Sequence, residues 1–230
     1  MSQAHYPIVF VTGTDTEVGK TVVSCTLLAA LNNHGCLADG FKPVASGATY
    51  QDGMWTNEDG LALQKYSGRS LPYDWVNPNT YEPAIAPHIA AVQAGSPIET
   101  ARLDQQLARL REGAELVLIE GAGGWQVPLN EHARFCDWVS GHSWPVIVVV
   151  GIRLGCINHA LLTIESIAHR GCEVVGWVAN HVQPKTEVLA ANVAYLKANI
   201  EAPLLGLIDY QKATLDPAGL ATELNVTSLL

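Results

Sequence analysis

The sequence predicts an α/β fold, a mostly parallel sheet flanked by helices, and three observations carry that reading. Continuous apolar, β-branched runs recur along the chain, segments with helical spacing separate them, and a glycine-rich turn links the first run to the first helix. Unbroken apolar strands alternating with helices are the mark of a parallel sheet covered on both faces. Ile8–Thr12 reads as the first buried strand, and Thr21–Asn33 follows with Leu27, Leu28 and Leu31 on one helical side. Ala38–Pro43, Leu116–Glu120, Val146–Gly151, Val174–Asn180 and Leu204–Ile208 read as further strands. Helices are expected near Leu103–Arg111, Asn158–Arg170 and Thr186–Asn199. The stretch Ala45–Gly95 is irregular, rich in Gly, Pro, Asn, Tyr and Trp, with short helices expected at Glu58–Tyr66 and Ala86–Ala94. A long irregular insertion of this kind is more often a binding region than a spacer. With no repeat, low-complexity tract or linker, residues 1–230 read as a single domain.

Composition narrows the function. Apolar residues make up 48% of the 230 and charged residues 15%, against a usual charged share of about 25%, so the chain is expected to fold around a large core. Its net charge of −9 argues against a general nucleic-acid surface and a polybasic membrane patch. The start, Met1-Ser2-Gln3-Ala4-His5-Tyr6-Pro7, has no cationic and apolar leader, and the longest apolar run, near Val146–Ile152, falls far short of the roughly 20 residues a membrane helix needs. Cys25, Cys36, Cys136, Cys156 and Cys172 form no CxxC pair and read as free thiols of a cytoplasmic protein.

The strongest motif is Gly13-Thr14-Asp15-Thr16-Glu17-Val18-Gly19-Lys20-Thr21. A strand precedes it and a helix follows, the context a phosphate loop requires. Loop amides and a helix N-terminus make an anion site. Lys20 reaches the β- and γ-phosphates in such a loop, and the Thr21 hydroxyl ligates Mg²⁺. Five residues separate Gly13 from Gly19, where the general pattern has four. The expected class is therefore a P-loop NTPase-like fold.

Three further side chains stand at places where ligands collect. Glu120 ends an apolar strand and begins Glu120-Gly121-Ala122-Gly123-Gly124, and strand carboxyl ends point into the ligand crevice of an open sheet. Lys42 ends the second strand in Lys42-Pro43-Val44-Ala45-Ser46-Gly47, where a cation neutralises a transferring phosphoryl group. Asp59, in Asn57-Glu58-Asp59, is a second candidate metal ligand. Each has a plainer reading: a solvated strand-end acid, a solvated lysine, a helix-capping aspartate. His88 after Pro87 reads as a structural residue at a helix start, and Trp125 either shapes the pocket or packs.

Together Gly13–Thr21, Lys42–Gly47, Glu120–Leu129, Leu154–Asn158 and Gly176–Asn180 resemble the dethiobiotin synthetase family, over most of the chain from Val11 to about Gly206. The five-residue gap in the loop matches that family's own form. The resemblance implies conversion of 7,8-diaminononanoate, CO₂ and ATP into dethiobiotin, ADP and phosphate through a carbamate and a carbamic–phosphoric anhydride. It assigns Glu17, Val18, Gly19, Lys20, Thr21 and Val22 to the nucleotide phosphates, and Thr21, Asp59 and Glu120 to Mg²⁺. Lys20 and Lys42 would neutralise carbamate and γ-phosphate charge, Lys42 being the main catalytic candidate. Thr16 and Ser46 would hydrogen-bond the carbamate, and Gly121, Ala122, Gly123 and Gly124 would bring backbone close to nucleotide and substrate. Asn180 and His181 would face the adenine, and Asn158 would reach the substrate carboxylate across a homodimer. A plainer reading of Asn158 is a helix cap.

After Gly206 the family often carries an Ile-Pro pair where this chain has Ile208-Asp209-Tyr210. The base contacts expected of Asp209, Tyr210 and Gln211, and the strictness of adenine preference, therefore stay open. The main alternative is a regulatory or partitioning ATPase switch. Such proteins carry an additional lysine early in the loop, where Thr14 and Asp15 stand here. A GTPase would want Asn-Lys-x-Asp, but His181 and Val182 follow Asn180. A glutamine-using ligase would need a thiol–histidine motif, and none is evident.

Overall fold

The computed structural model describes residues 5–184, 186–210 and 216–230. In chain order the elements begin with β1 (Ile8–Gly13), α1 (Lys20–Asn33), β2 (Ala38–Phe41), β3 (Ala45–Ser46), β4 (Thr49–Gln51) and β5 (Met54–Thr56). Then come α2 (Glu58–Tyr66), α3 (Tyr73–Val76), β6 (Thr80–Tyr81), α4 (Pro87–Gln93), α5 (Thr100–Arg111) and β7 (Leu116–Gly124). The chain continues through α6 (Phe135–Gly141), β8 (Val146–Ile152), α7 (Cys156–His169), β9 (Val174–His181), α8 (Glu187–Asn199) and β10 (Leu204–Ile208). Two short 3₁₀ turns follow, at Ala221–Glu223 and Thr227–Leu229.

Six strands form one sheet in the order β10-β9-β8-β1-β7-β2, and every pairing is parallel. The expected fold class is thus the one the chain adopts. Central strands bury both faces: β8 is buried along its whole length, as is β1. Among the described residues no helix is long and apolar enough to cross a membrane. All five cysteines are free and buried.

Register decides which side chains meet. Val11 of β1 lies opposite Glu120 of β7, and Phe41 of β2 lies opposite Ile119. Glu120 and the residue after β2, Lys42, therefore reach the same carboxyl edge, beside the turn that leaves β1. The short elements β3, β4, β5, β6 and α3 of the insertion carry no sequence signal, and two elements outside it also differ from the sequence reading. The glycines Gly121–Gly124 continue β7 as extended strand rather than forming a loop. Helix α6 carries no sequence signal because its cap is unusual: Arg134 holds the N-cap position, and the Asp137 carboxylate accepts the Arg134 amide at 2.8 Å.

The insertion is irregular in sequence yet pinned by buried polar side chains. The Tyr73 hydroxyl accepts from the Asn57 amide at 2.8 Å and donates to Asn77 Oδ1 at 2.7 Å. Asn77 Nδ2 in turn donates to the Lys42 carbonyl at 2.7 Å. Buried polar groups are tolerated only when satisfied in this way, and the chain of bonds fixes α2 and α3 against the end of β2.

A second staple sits at the sheet edge. Asp39 of β2 is fully buried and pairs with Arg69, whose guanidinium also donates to the carbonyls of Leu110 and Glu112. Removing one partner of a buried pair leaves an uncompensated charge, so Arg69→Ala is expected to cost about 3–5 kcal/mol of stability. Urea denaturation of the variant checks this, and a loss under about 1 kcal/mol would reduce the pair to a surface contact.

Candidate active site

The phosphate loop is built by geometry that only particular residues permit. Gly19 has φ of 82° and caps the N-terminus of α1. A Cβ there would fall 2.1 Å from Asn180 Nδ2, so both the left-handed backbone and the close packing require glycine. Glu17 also adopts positive φ, at 55°, an unfavourable setting for a non-glycine residue that the surrounding bonds must hold. One such bond runs from Asn180 Nδ2 to the Val18 carbonyl at 2.8 Å.

Beside the loop lies a cleft of about 420 Å³, and Thr16, Glu17, Gly19, Lys20, Thr21, Val22, Lys42, Ser46, Asp59, Glu120, Ala122 and Gly123 line it. A smaller cavity of about 220 Å³ shares Glu17, Gly19 and Val22 with the cleft and adds Asn180, His181, Val182, Asp209 and Tyr210. Phosphate-loop residues thus join a polar cleft to a second pocket on the β9–β10 side. Val18 lines neither and turns its side chain into the core, so only its main chain faces this region. Gly121 contributes its carbonyl, 3.5 Å from Lys42 Nζ. Asn158 stands exposed in the first turn of α7, outside both cavities. Gln211 lies outside the described residues.

At the floor of the cleft four side chains converge. Lys42 Nζ is 2.5 Å from Glu120 Oε1 and 3.0 Å from Asp59 Oδ2. The Thr21 hydroxyl is 2.7 Å from Asp59 Oδ1 and 2.9 Å from Glu120 Oε1. Glu120 is fully buried, so it is not the solvated strand-end acid of the plainer reading. Capping of α2 falls to Asn57, which accepts the Asp59 amide at 3.0 Å and leaves the Asp59 carboxylate for the cleft. Burial alone would lower the Lys42 pKa, but the charges and hydrogen bonds of Glu120 and Asp59 outweigh it and hold Lys42 above the ordinary lysine range. Burial pushes the Asp59 carboxyl up, and Lys42 with Thr21 more than reverses this, leaving it below its ordinary value. Lys20 differs: burial and the nearby Lys42 ammonium bring it down to about 8, against weaker support from the carboxylates. Its Nζ donates to the Asp15 carbonyl at 3.2 Å.

The donor set fits a magnesium ion. Thr21, Asp59 and Glu120 offer hard oxygens, and Glu120 Oε2 is buried with no hydrogen-bond partner among the described residues. Among the described residues no group of three or more His, Cys, Asp or Glu side chains forms a metal cage. A cation here would take its remaining ligands from phosphate and water, the habit of Mg²⁺ rather than of a structural metal.

Two contributors escaped the sequence reading. Asp15 accepts the Thr16 amide at 2.8 Å, pairs with Arg153, and lends its carbonyl to Lys20. Asn57 donates to the Ser46 carbonyl at 3.1 Å while capping α2. Both lie within segments already marked as unusual, but each also has a partner elsewhere in the chain, Arg153 for Asp15 and Ser46 for Asn57. His88 is half-buried at the start of α4, away from the cleft. Trp125 is buried and packs edge-on against Phe10, with ring centroids 6.2 Å apart.

Comparison with known proteins gives this arrangement its context. A family model described as an AAA domain matches residues 8–218. The ATP-dependent dethiobiotin synthetase BioD of Yersinia pestis bv. Antiqua (strain Angola) is 50% identical over 201 residues, 87% of this chain and 84% of that protein. The chain belongs to the dethiobiotin synthetase family. A second dethiobiotin synthetase, BioD 1 of Escherichia coli (strain K12), is 46% identical over 220 residues, 96% of this chain and 98% of its own length. Among solved structures, the MinC:MinD cell division protein complex of Aquifex aeolicus superposes with a TM-score of 0.54 at 12% identity, over 93% of this chain and 86% of that one. That likeness concerns the fold alone. Dethiobiotin synthetases are ATP-dependent ligases of biotin synthesis.

Proposed function

We propose that this chain closes the ureido ring of dethiobiotin from 7,8-diaminononanoate, CO₂ and ATP, with Mg²⁺ accompanying the nucleotide. The observation that carries the reading is the meeting of Lys42, Asp59, Glu120 and Thr21 at one end of a phosphate-loop cleft. One amine of the substrate takes up CO₂ as a carbamate. A carbamate oxygen attacks the γ-phosphorus, ADP departs, and a carbamic–phosphoric anhydride results. The second amine then attacks the carbonyl carbon and expels phosphate. Most of the catalysis is positioning and charge neutralisation. Gly19–Val22 hold the phosphates, Lys20 and Lys42 offset charge on carbamate and γ-phosphate, and Thr16 and Ser46 orient the carbamate. Asn180, His181, Asp209 and Tyr210 border the base. Held by Thr21, Asp59 and Glu120, the magnesium ion would supply a Lewis acid that neutralises phosphate charge.

Phosphate release that requires both the diamine and CO₂ tests the reading. Release from ATP alone, unaffected by either, would favour an ATPase switch. Asp59→Asn is expected to raise the Mg²⁺ concentration for half-maximal activity about tenfold or more, since a hard cation loses an anionic ligand. A magnesium titration of steady-state rates checks it, and a wild-type curve would remove Asp59 from the metal set.

The same reading includes a homodimer that shares its sites. Asn158 is exposed near Leu154, which is 91% exposed, and Leu162, which is 56% exposed. Apolar groups this open beside a polar candidate ligand suit a contact with a second copy. Lys42→Ala and Asn158→Ala chains, each impaired alone, are expected to regain part of the lost activity as purified heterodimers. One heterodimer site is then intact, whereas unshared sites would give no recovery.

A further inference from the structure

The geometry points to a second role for Lys42: in the nucleotide-free enzyme its ammonium is the resident cation of the metal site, so metal must displace it and binds tightly only when Lys42 can turn to the γ-phosphate. This rests on the dethiobiotin synthetase reading of the site and adds an order of events to it.

Four carboxylate oxygens are available between Asp59 and Glu120. Thr21 and Lys42 engage three of them: Asp59 Oδ1, Asp59 Oδ2 and Glu120 Oε1. Lys42 alone holds two, one on each carboxylate. The ammonium therefore bridges the two side chains proposed to bind the metal. Lys42 is 3% exposed and Glu120 is fully buried, so bulk water cannot replace this neutralisation cheaply, and two unpaired acids here would be costly. A lysine tethered between them neutralises both carboxylates from within the chain.

A divalent ion taking the same oxygens changes the balance. Two carboxylates and one ammonium sum to one negative charge, and adding a dication gives one positive charge with two cations side by side. At such separations like charges repel strongly in a partly dry cleft. Nucleotide phosphates resolve the conflict, because they bring negative charge that both cations can share, and Lys42 has a new partner to turn to. The free enzyme should thus bind divalent metal poorly, and nucleotide and metal should arrive with strong mutual dependence. Lys20 does not fill this place, since its Nζ is bonded to the Asp15 carbonyl inside the loop.

Mn²⁺ binding followed by electron paramagnetic resonance reads the effect without turnover. Without nucleotide, Lys42→Met and Lys42→Gln are expected to bind Mn²⁺ about tenfold or more tightly than wild type. With a non-hydrolysable ATP analogue present, that ratio should shrink toward one. Equal Mn²⁺ affinity in wild type and both variants without nucleotide, while wild type with the analogue binds normally, would overturn the inference and leave the metal site standing. Wild type that fails to bind Mn²⁺ even with the analogue would overturn the site reading itself, and this inference with it. Circular dichroism verifies that the variants fold. Should they not, the wild type is read directly by amine acylation and mass spectrometry. Millimolar Mn²⁺ without nucleotide should increase Lys42 labelling as the ammonium is displaced, and unchanged labelling at bound metal would overturn the proposal.

Discussion

Lys20→Ala is expected to lower kcat/KM by about 10³-fold or more while the protein stays folded. No other side chain supplies a cation from inside the phosphate loop, and loss of a single fixed donor already costs about 10²–10³ in rate at such sites. Stability should not fall. In the folded protein the Lys20 pKa is depressed to about 8 from 10.5, so the folded state binds this proton more weakly than the unfolded one. The resulting penalty is fully present below about pH 8 and is relieved as pH rises toward the unfolded value. Alanine removes that penalty at neutral pH, so the melting temperature should hold or rise. The same depression has a consequence for binding in the wild type. Phosphate oxygens favour the charged lysine, so an ATP analogue bound near pH 8 should take up about half a proton per site. Affinity should fall as pH climbs above that value. Titration calorimetry in buffers of differing ionisation enthalpy measures the uptake. Near-normal turnover in folded Lys20→Ala, or no proton uptake, would contradict these expectations.

Lys42→Gln is expected to retain ATP binding but to lose about 10²–10³ in kcat. Its ammonium lies against Glu120 and Asp59, and on the proposed reading it should matter most where charge passes between carbamate, γ-phosphate and ADP. An interaction stronger in the transition state than in the ground state appears in kcat, not in substrate affinity. Steady-state kinetics separate the cases. An unchanged kcat with a raised KM for ATP would make Lys42 a nucleotide ligand only.

The sequence by itself determined the fold class and marked much of the candidate site. Unbroken apolar strands can only be buried on both faces, which demands a parallel sheet with helices on either side; all six strands of the central sheet were legible in the sequence, though β2, with Asp39 and Gly40, is not an unbroken apolar run. Gly19, Lys20 and Thr21 were legible because a phosphate loop constrains residue type locally, through backbone angles and reach. Asp59 and Lys42 were open in isolation, since a strand-end lysine and a helix-start aspartate have ordinary surface roles. Strand order is what brings Lys42 to Glu120: the sheet runs β1-β7-β2, and the register sets Lys42 level with Glu120. Asn57, ten residues and more from Ser46 and Tyr73, caps α2 and so frees Asp59 for the cleft. The pairing of Asp15 with Arg153 joins two loops 138 residues apart in sequence. Local pattern encodes periodicity and backbone geometry, so it reveals elements and tight loops. Partners across a sheet edge depend on which strands become neighbours, a choice made by packing the whole core, and only the tertiary structure carries it.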